Sequence, residues 1–182
     1  MVFVFLIKIL LPIFTCMSTI IQTYITHYNL QPHPEGGWYA ETYRADEQAT
    51  HLPARFTGAR SFSTAIYFLL TGDTFSAFHR IKSDELWHFY DGDMLEVFVI
   101  DEQGALSVIN LGRDVLAGQV YQAVVKRGQW FASRCSVAAG YSLVGCTVSP
   151  GFDFADFEMA KRDELVKQYP QHEKLIGELT RE

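Results

Sequence analysis

The sequence predicts an all-β fold, a sandwich or barrel of short strands. Runs rich in β-branched and aromatic residues succeed one another between Trp38 and Val148. Turn signals separate them at intervals of about eight to twelve residues, the spacing of sandwiches and barrels. Aromatic residues make up 14% of the chain, a share that suits a β-rich fold with a lined pocket. The 182 residues fit one domain with a sizeable core. No internal repeat, low-complexity stretch or linker divides it.

The elements follow in order. Ser18 can cap a short helix, and Ile20, Ile21, Tyr24, Ile25 and Tyr28 recur at helical spacing as one apolar face. His33-Pro34-Glu35-Gly36-Gly37 ends that helix, because Pro and paired Gly interrupt regular structure. Strands are then predicted over Trp38 to Arg44, Phe62 to Leu70, Thr74 to Ile81, Leu86 to Tyr90 and Leu95 to Ile100. Asp101-Glu102-Gln103-Gly104 reads as a hairpin loop into Leu106 to Leu111. Val120 to Val125, Gln129 to Ser133 and Tyr141 to Val148 complete the β region. Beyond Pro150-Gly151, Asp163 to Tyr169 and Glu173 to Leu179 read as short helices separated by Pro170, packed outside the strands. Ahead of this domain, taken as residues 17–182, lies an apolar extension over 1–16. Val2 to Phe14 is nearly all apolar apart from Lys8. It is short for a membrane span, and Phe14-Thr15 fits a signal cleavage site poorly. Translation from Met17, a signal and a membrane anchor stay open as readings.

Charge and cysteine usage narrow the function. A net charge of −6 repels nucleic acid and anionic membrane, so neither is an expected partner unless residues 1–16 act as an anchor. The three cysteines, Cys16, Cys135 and Cys146, form no CxxC pair and are odd in number. They favour a reducing, cytoplasmic setting over a disulfide framework, or a secreted one if the leading segment is a signal. Cys146 follows a small apolar run and reads as a buried hydrophobe. There is no Gly-x-Ser-x-Gly elbow and no phosphate-binding Gly-x4-Gly-Lys loop. The charges over Lys161 to Glu164 read as a solvated helix face.

The block from Gly72 to Gly92 holds the densest chemistry. Its His79-x-Ile81-x3-Glu85-x6-Gly92 spacing resembles the first cupin motif. Strand alternation puts positions 79 and 81 on one face, with Glu85 able to reach the same cavity from the next strand. Ile81 stands where that motif has a second His. Lys126-Arg127-Gly128-Gln129-Trp130-Phe131 matches the second cupin motif loosely, with Phe131 at its ligand position. Apolar side chains donate no lone pair, so only His79 and Glu85 remain of the usual donors, and tight divalent sites want about three or more. No cofactor is expected; a divalent metal on His79 and Glu85 is an alternative.

His33 to Gly37, Glu41-Thr42-Tyr43-Arg44, Ser63 to Tyr67, His79 to Gly92, Gly128 to Phe131 and Val148 to Phe152 together resemble the cupin 5 family (domain of unknown function 985). The resemblance runs from about residue 19 to near the C-terminus. It implies a cupin jelly-roll β-barrel with short flanking helices at both ends, a homodimer, and no established reaction. The run from Glu35 to Glu41, with Phe78-His79 later, is similar in layout to dTDP-keto-sugar epimerases, metal-free barrels in which a His removes a proton beside a carbonyl. That similarity implies His79 as base, Glu85 orienting its ring, Tyr67 returning the proton from the other face, and Arg44 or Arg80 holding an anionic substrate group.

Each of these residues has a plainer reading. Glu41 and Arg44 suit a salt bridge on the barrel as well as a substrate clamp. Trp87 and Trp130 suit core or pocket wall. His88, which alternation places opposite Glu85 and Trp87, suits the surface or an interface. Glu35 reads as part of a turn entering the first strand. Two functions follow: a metal-independent epimerase or isomerase of a sugar-like or keto-acid substrate, and a module that binds a small molecule without changing it. A metal-dependent cupin enzyme with a depleted site is a third.

Overall fold

The computed structural model describes residues 19–181; Ser18 and the apolar extension lie outside them. Strands are numbered here in chain order. One sheet runs β1 (Gln31–Pro32), β2 (Trp38–Arg44), β5 (Thr64–Thr71), β12 (Tyr141–Ser149), β7 (Asp84–Gly92), β10 (Gln122–Val125). The other runs β13 (Glu158–Met159), β6 (Phe75–Arg80), β11 (Trp130–Cys135), β8 (Leu95–Ile100), β9 (Leu106–Leu111). The ladders within both are antiparallel. A ribbon of β3 (Gln48–Ala49) and β4 (Arg60–Ser61) stands apart. The two main sheets face each other as a jelly roll. Their ladders do not merge into one closed barrel; a single bridge from Leu111 to Val120 leads from β9 toward β10.

Four layers follow from where the apolar faces go. Between the sheets lie Phe68, Leu70, Trp87, Phe89, Val97, Val99, Phe131 and Val144. The opposite face of the first sheet, through Leu69, Leu143, Trp38 and Tyr67, packs on a helix over 19–27, α1, which offers Ile21, Tyr24 and Ile25. The opposite face of the second sheet, through Phe78, Phe98, Ile100 and Trp130, packs on α2 (Arg162–Gln168) and α3 (Glu173–Glu178) through Leu165 and Ile176. Central strands covered on both faces lose the apolar–polar alternation, which is why β5 reads Thr-Ala-Ile-Tyr-Phe-Leu-Leu-Thr. The hydroxyls of Tyr24 and Tyr141 both donate to Asp91 Oδ2, at 2.6 and 2.7 Å, and pin α1 to its sheet.

Differences from the sequence reading are local. The strand expected from Phe62 begins at Thr64, because Phe62 N–H pairs with the Glu47 carbonyl beside the β3–β4 ribbon. The strand expected from Val120 begins at Gln122, since Val120 is taken up by its bridge to Leu111. The two-residue strands β1, β3, β4 and β13 are too short to carry a periodic signal. No described helix is long and apolar enough to cross a membrane.

Candidate active site in the jelly-roll cavity

The turn over residues 33–37 is built to deliver one side chain. Gly36 N–H returns to the His33 carbonyl and His33 N–H to the Gly37 carbonyl, each at 3.0 Å. Gly36 has φ +117°, and a Cβ there would collide with the Phe75 carbonyl and the Arg181 guanidinium; only glycine fits. The Glu35 carbonyl accepts from Ala77 N–H at 2.8 Å and from Arg181 at 3.1 Å. With the backbone so anchored, the Glu35 carboxyl turns into the jelly roll.

It enters a cavity of about 480 Å³ between the sheets. His33, Glu35, His79, Glu85 and Cys146 are among its polar groups, with Glu41, Arg44, Thr64 and Asp153, and Ile66, Phe68, Ile81, Val148 and Phe157 supply apolar wall. His79, Glu35 and Glu85 are only 3, 6 and 8% exposed. His79 Nε2 lies 3.1 Å from Glu35 Oε2, and His33 Nδ1 lies 3.4 Å from the same oxygen. Ser76 Oγ donates to Glu35 Oε1 at 2.8 Å. His79 Nδ1 lies 2.7 Å from the Ala77 carbonyl. That oxygen can only accept, so Nδ1 carries a hydrogen and Nε2 faces Glu35. One proton therefore lies between Nε2 and Oε2.

Burial decides where the protons rest. It pushes His79 down to about 4 and pushes Glu35 up, so both shifts favour imidazole beside carboxylic acid over the ion pair. Glu85 is driven up to about 8, first by burial and then by the nearby Glu35 carboxyl, against a hydrogen bond from the Cys146 thiol. Burial and Glu85 raise Cys146 in turn. Burial lowers His33, with Glu35 opposing. Burial thus biases Glu35, Glu85, His33 and His79 toward their uncharged forms.

The sequence-selected residues divide between cavity and elsewhere. His79 and Glu85 line the cavity, but they are not each other's partners: His79 meets Glu35, and Glu85 meets Cys146. Glu41 and Arg44 line it too and are locked together, Arg44 Nε and a terminal nitrogen donating to the two Glu41 oxygens at 2.9 and 2.7 Å. The other five lie outside the cavity lining. Tyr67 faces outward, since Ile66 and Phe68 take the inward positions; its ring lies 4.5 Å from that of Tyr28. His88 also faces outward, bonded to Thr147 Oγ1 at 3.1 Å and to Gln122 at 3.0 Å. Trp87 points inward but is core, set edge-on to Phe68 and Phe131. Trp130 lies under the C-terminal helices. Arg80 sits over its ring at 4.4 Å and pairs with Glu158 at 2.7 Å.

Sequence reasoning missed His33, Glu35 and the segment after β12, where Asp153, Phe152, Phe154 and Phe157 border the cavity. The Phe157 ring lies 5.2 Å from the His79 ring, tilted by 33°. The available signal was the charged residue in the Pro34 to Gly37 turn: a carboxylate next to a glycine forced into an unusual conformation.

The donor set does not fit a tightly held divalent ion. Ile81 occupies the cavity wall beside His79, and the Phe131 ring lies 4.0 Å from the His79 ring where another ligand would stand. Among the described residues no group of three or more His, Cys, Asp or Glu has metal-holding geometry.

The chain is similar to known proteins along most of its length. A hypothetical protein from Leishmania major superposes with TM-score 0.81 at 36% identity, covering 88% of this chain and 98% of that one. Protein SO0799 from Shewanella oneidensis gives 0.78 at 39% identity, covering 87% and 95%. Protein YML079W of Saccharomyces cerevisiae is 28% identical over 165 residues, 85% of this chain and 82% of its own. The family described as Cupin superfamily (DUF985) matches residues 22–160. With most of its length inside that match, the chain belongs to the cupin superfamily, in the family of domain of unknown function 985.

Proposed function

We propose that the cavity binds a neutral, sugar-like carbonyl compound and moves a proton next to its carbonyl without a metal, as an isomerase or epimerase does. The observation that carries this reading is the presence of two buried carboxyl groups in one cavity with different settings. Glu85 holds its proton near neutral pH, and Glu35 shares one with His79. Acid and base separated by environment are what such chemistry needs. When the shared proton sits on His79, the Glu35 carboxylate takes the proton from the carbon beside the carbonyl. Glu85 gives its proton to the carbonyl oxygen, forming an enol. Glu35 then gives its proton to the neighbouring carbon while the hydroxyl on the first carbon returns a proton to Glu85, which completes an isomerisation; epimerisation needs a second donor on the opposite face. The carboxyl-rich interior disfavours a keto acid, because Arg44, the cation on its lining, is already taken by Glu41.

The test is solvent exchange. The protein is incubated in D₂O with a panel of ketoses and keto-sugars, and loss of the proton beside the carbonyl is followed by NMR. Exchange is expected with at least one, falling by about 10²–10⁴-fold in Glu35→Gln. A panel member that binds but never exchanges would favour the second reading, a binding module without turnover. That reading draws on both His79 nitrogens being already engaged. We further propose a homodimer in a reducing, cytoplasmic setting. The free thiols of Cys135 and Cys146 support the setting, and exposed apolar residues at β9 and β10 support the dimer.

A further inference from the structure

A second recess of about 570 Å³ adjoins the first, with Ile81 and Phe157 bordering both. Arg55, Arg80, Lys82 and Arg127 converge on it from three parts of the chain, Arg80 and Lys82 from the same segment. We propose that this cleft binds the phosphate group of a phosphorylated small molecule.

The charge there exceeds what the protein itself neutralises. Of the acids in the cleft, Glu158 is taken by Arg80. Asp156 is held on both oxygens by Arg60, at 2.6 and 2.8 Å, so Lys82, 3.3 Å from the same carboxylate, adds a surplus cation. Arg55 lies over the Phe56 ring at 4.7 Å and hydrogen-bonds through its Nε, to the Lys82 carbonyl at 2.9 Å, leaving its terminal nitrogens to face a ligand. Arg127 is held through its backbone N–H by Asp84. Among the described residues neither Arg55 nor Arg127 forms an ion pair. Glu102 is the remaining acid of the cleft. Cations gathered in one recess repel one another, and an anion placed among them relieves that repulsion. Arginine forks suit phosphate oxygens. Gly128 lines the same recess with φ +77° and open space where a Cβ would be, leaving backbone accessible to a ligand. A recess of this size admits a small molecule and not a nucleic-acid duplex.

The site stands independently of what the cavity does. The test is calorimetric titration of the full-length protein with inorganic pyrophosphate at low salt. Saturable one-to-one binding is expected, weakened about tenfold by Arg55→Ala and about tenfold by Arg127→Ala, and weakened by added salt. Both arginines are exposed, so neither change threatens the fold. Glu35→Gln should leave the affinity unchanged. Absence of saturation up to ~10 mM pyrophosphate, far weaker than a built phosphate site, would overturn the proposal. So would affinity unchanged in the arginine variants, or affinity lost in Glu35→Gln, which would put the anion in the jelly-roll cavity.

Discussion

At the scale of single residues, the behaviour of the cavity rests on desolvation outweighing attraction. Glu85 has no cation beside it; its neighbours are a thiol and another carboxyl, so it keeps its proton well past the usual carboxylate range. The consequence for stability has a definite sign. Its folded value of about 8 lies above the ordinary 4.5, so the native state binds the extra proton between those limits. Stability is fully present at the acid end and is lost as pH rises toward 8. His79, lowered from 6.5 to about 4, contributes with the opposite sign: its share is complete above 6.5 and lost as pH falls toward 4. Above pH 6.5 the Glu85 effect therefore stands without opposition from His79. Chemical denaturation should show a loss of about 2 kcal/mol between pH 6.5 and 8, and Glu85→Gln should flatten that slope. His79 and Glu85 were legible in the sequence because their spacing follows a strand-to-strand pattern. Their true partners were not, because Glu35 and Cys146 are 44 and 61 positions away from His79 and Glu85 along the chain and meet them only through the packing of the sheets.

At the scale of elements, two connections place the site. The turn over 33–37 fixes Glu35, and Gly36→Ala there should cost on the order of 3 kcal/mol, from a strained φ and a backbone collision. Urea unfolding measures it. The segment following β12 carries Phe154 and Phe157 to the cavity and is tied to β4 by the buried Arg60–Asp156 pair. Arg60→Ala leaves a buried carboxylate with only Lys82 for company and should cost about 3 kcal/mol in the same assay. The strands β2, β8 and β9 have the residues read from sequence, since their β-forming runs end in clear turn residues. Tyr67 and Trp130 were misplaced for a related reason. In strands buried on both faces apolar residues take both sides, so composition alone does not say which side faces the cavity.

At the scale of the whole molecule, the layered arrangement explains why so much aromatic surface is present: the sheets are covered on their outer faces as well as the inner ones. Apolar residues still stand exposed along one side, among them Val108 at 46%, Tyr121 at 55% and Val124 at 41%. Sedimentation equilibrium of the full chain should give twice the 20.7 kDa chain mass, and Tyr121→Glu with Val124→Glu should shift it toward the monomer. The sandwich also buries the cavity floor, and this burial is what pushes Glu85 up. A ¹³C NMR titration of the side-chain carboxyl carbons therefore tests the central claim most directly. A Glu85 midpoint near 8 is the expected result, with His79 remaining neutral down to about pH 4. A Glu85 midpoint at its ordinary 4.5 would contradict it, and with it the acid that the proposed proton transfer requires.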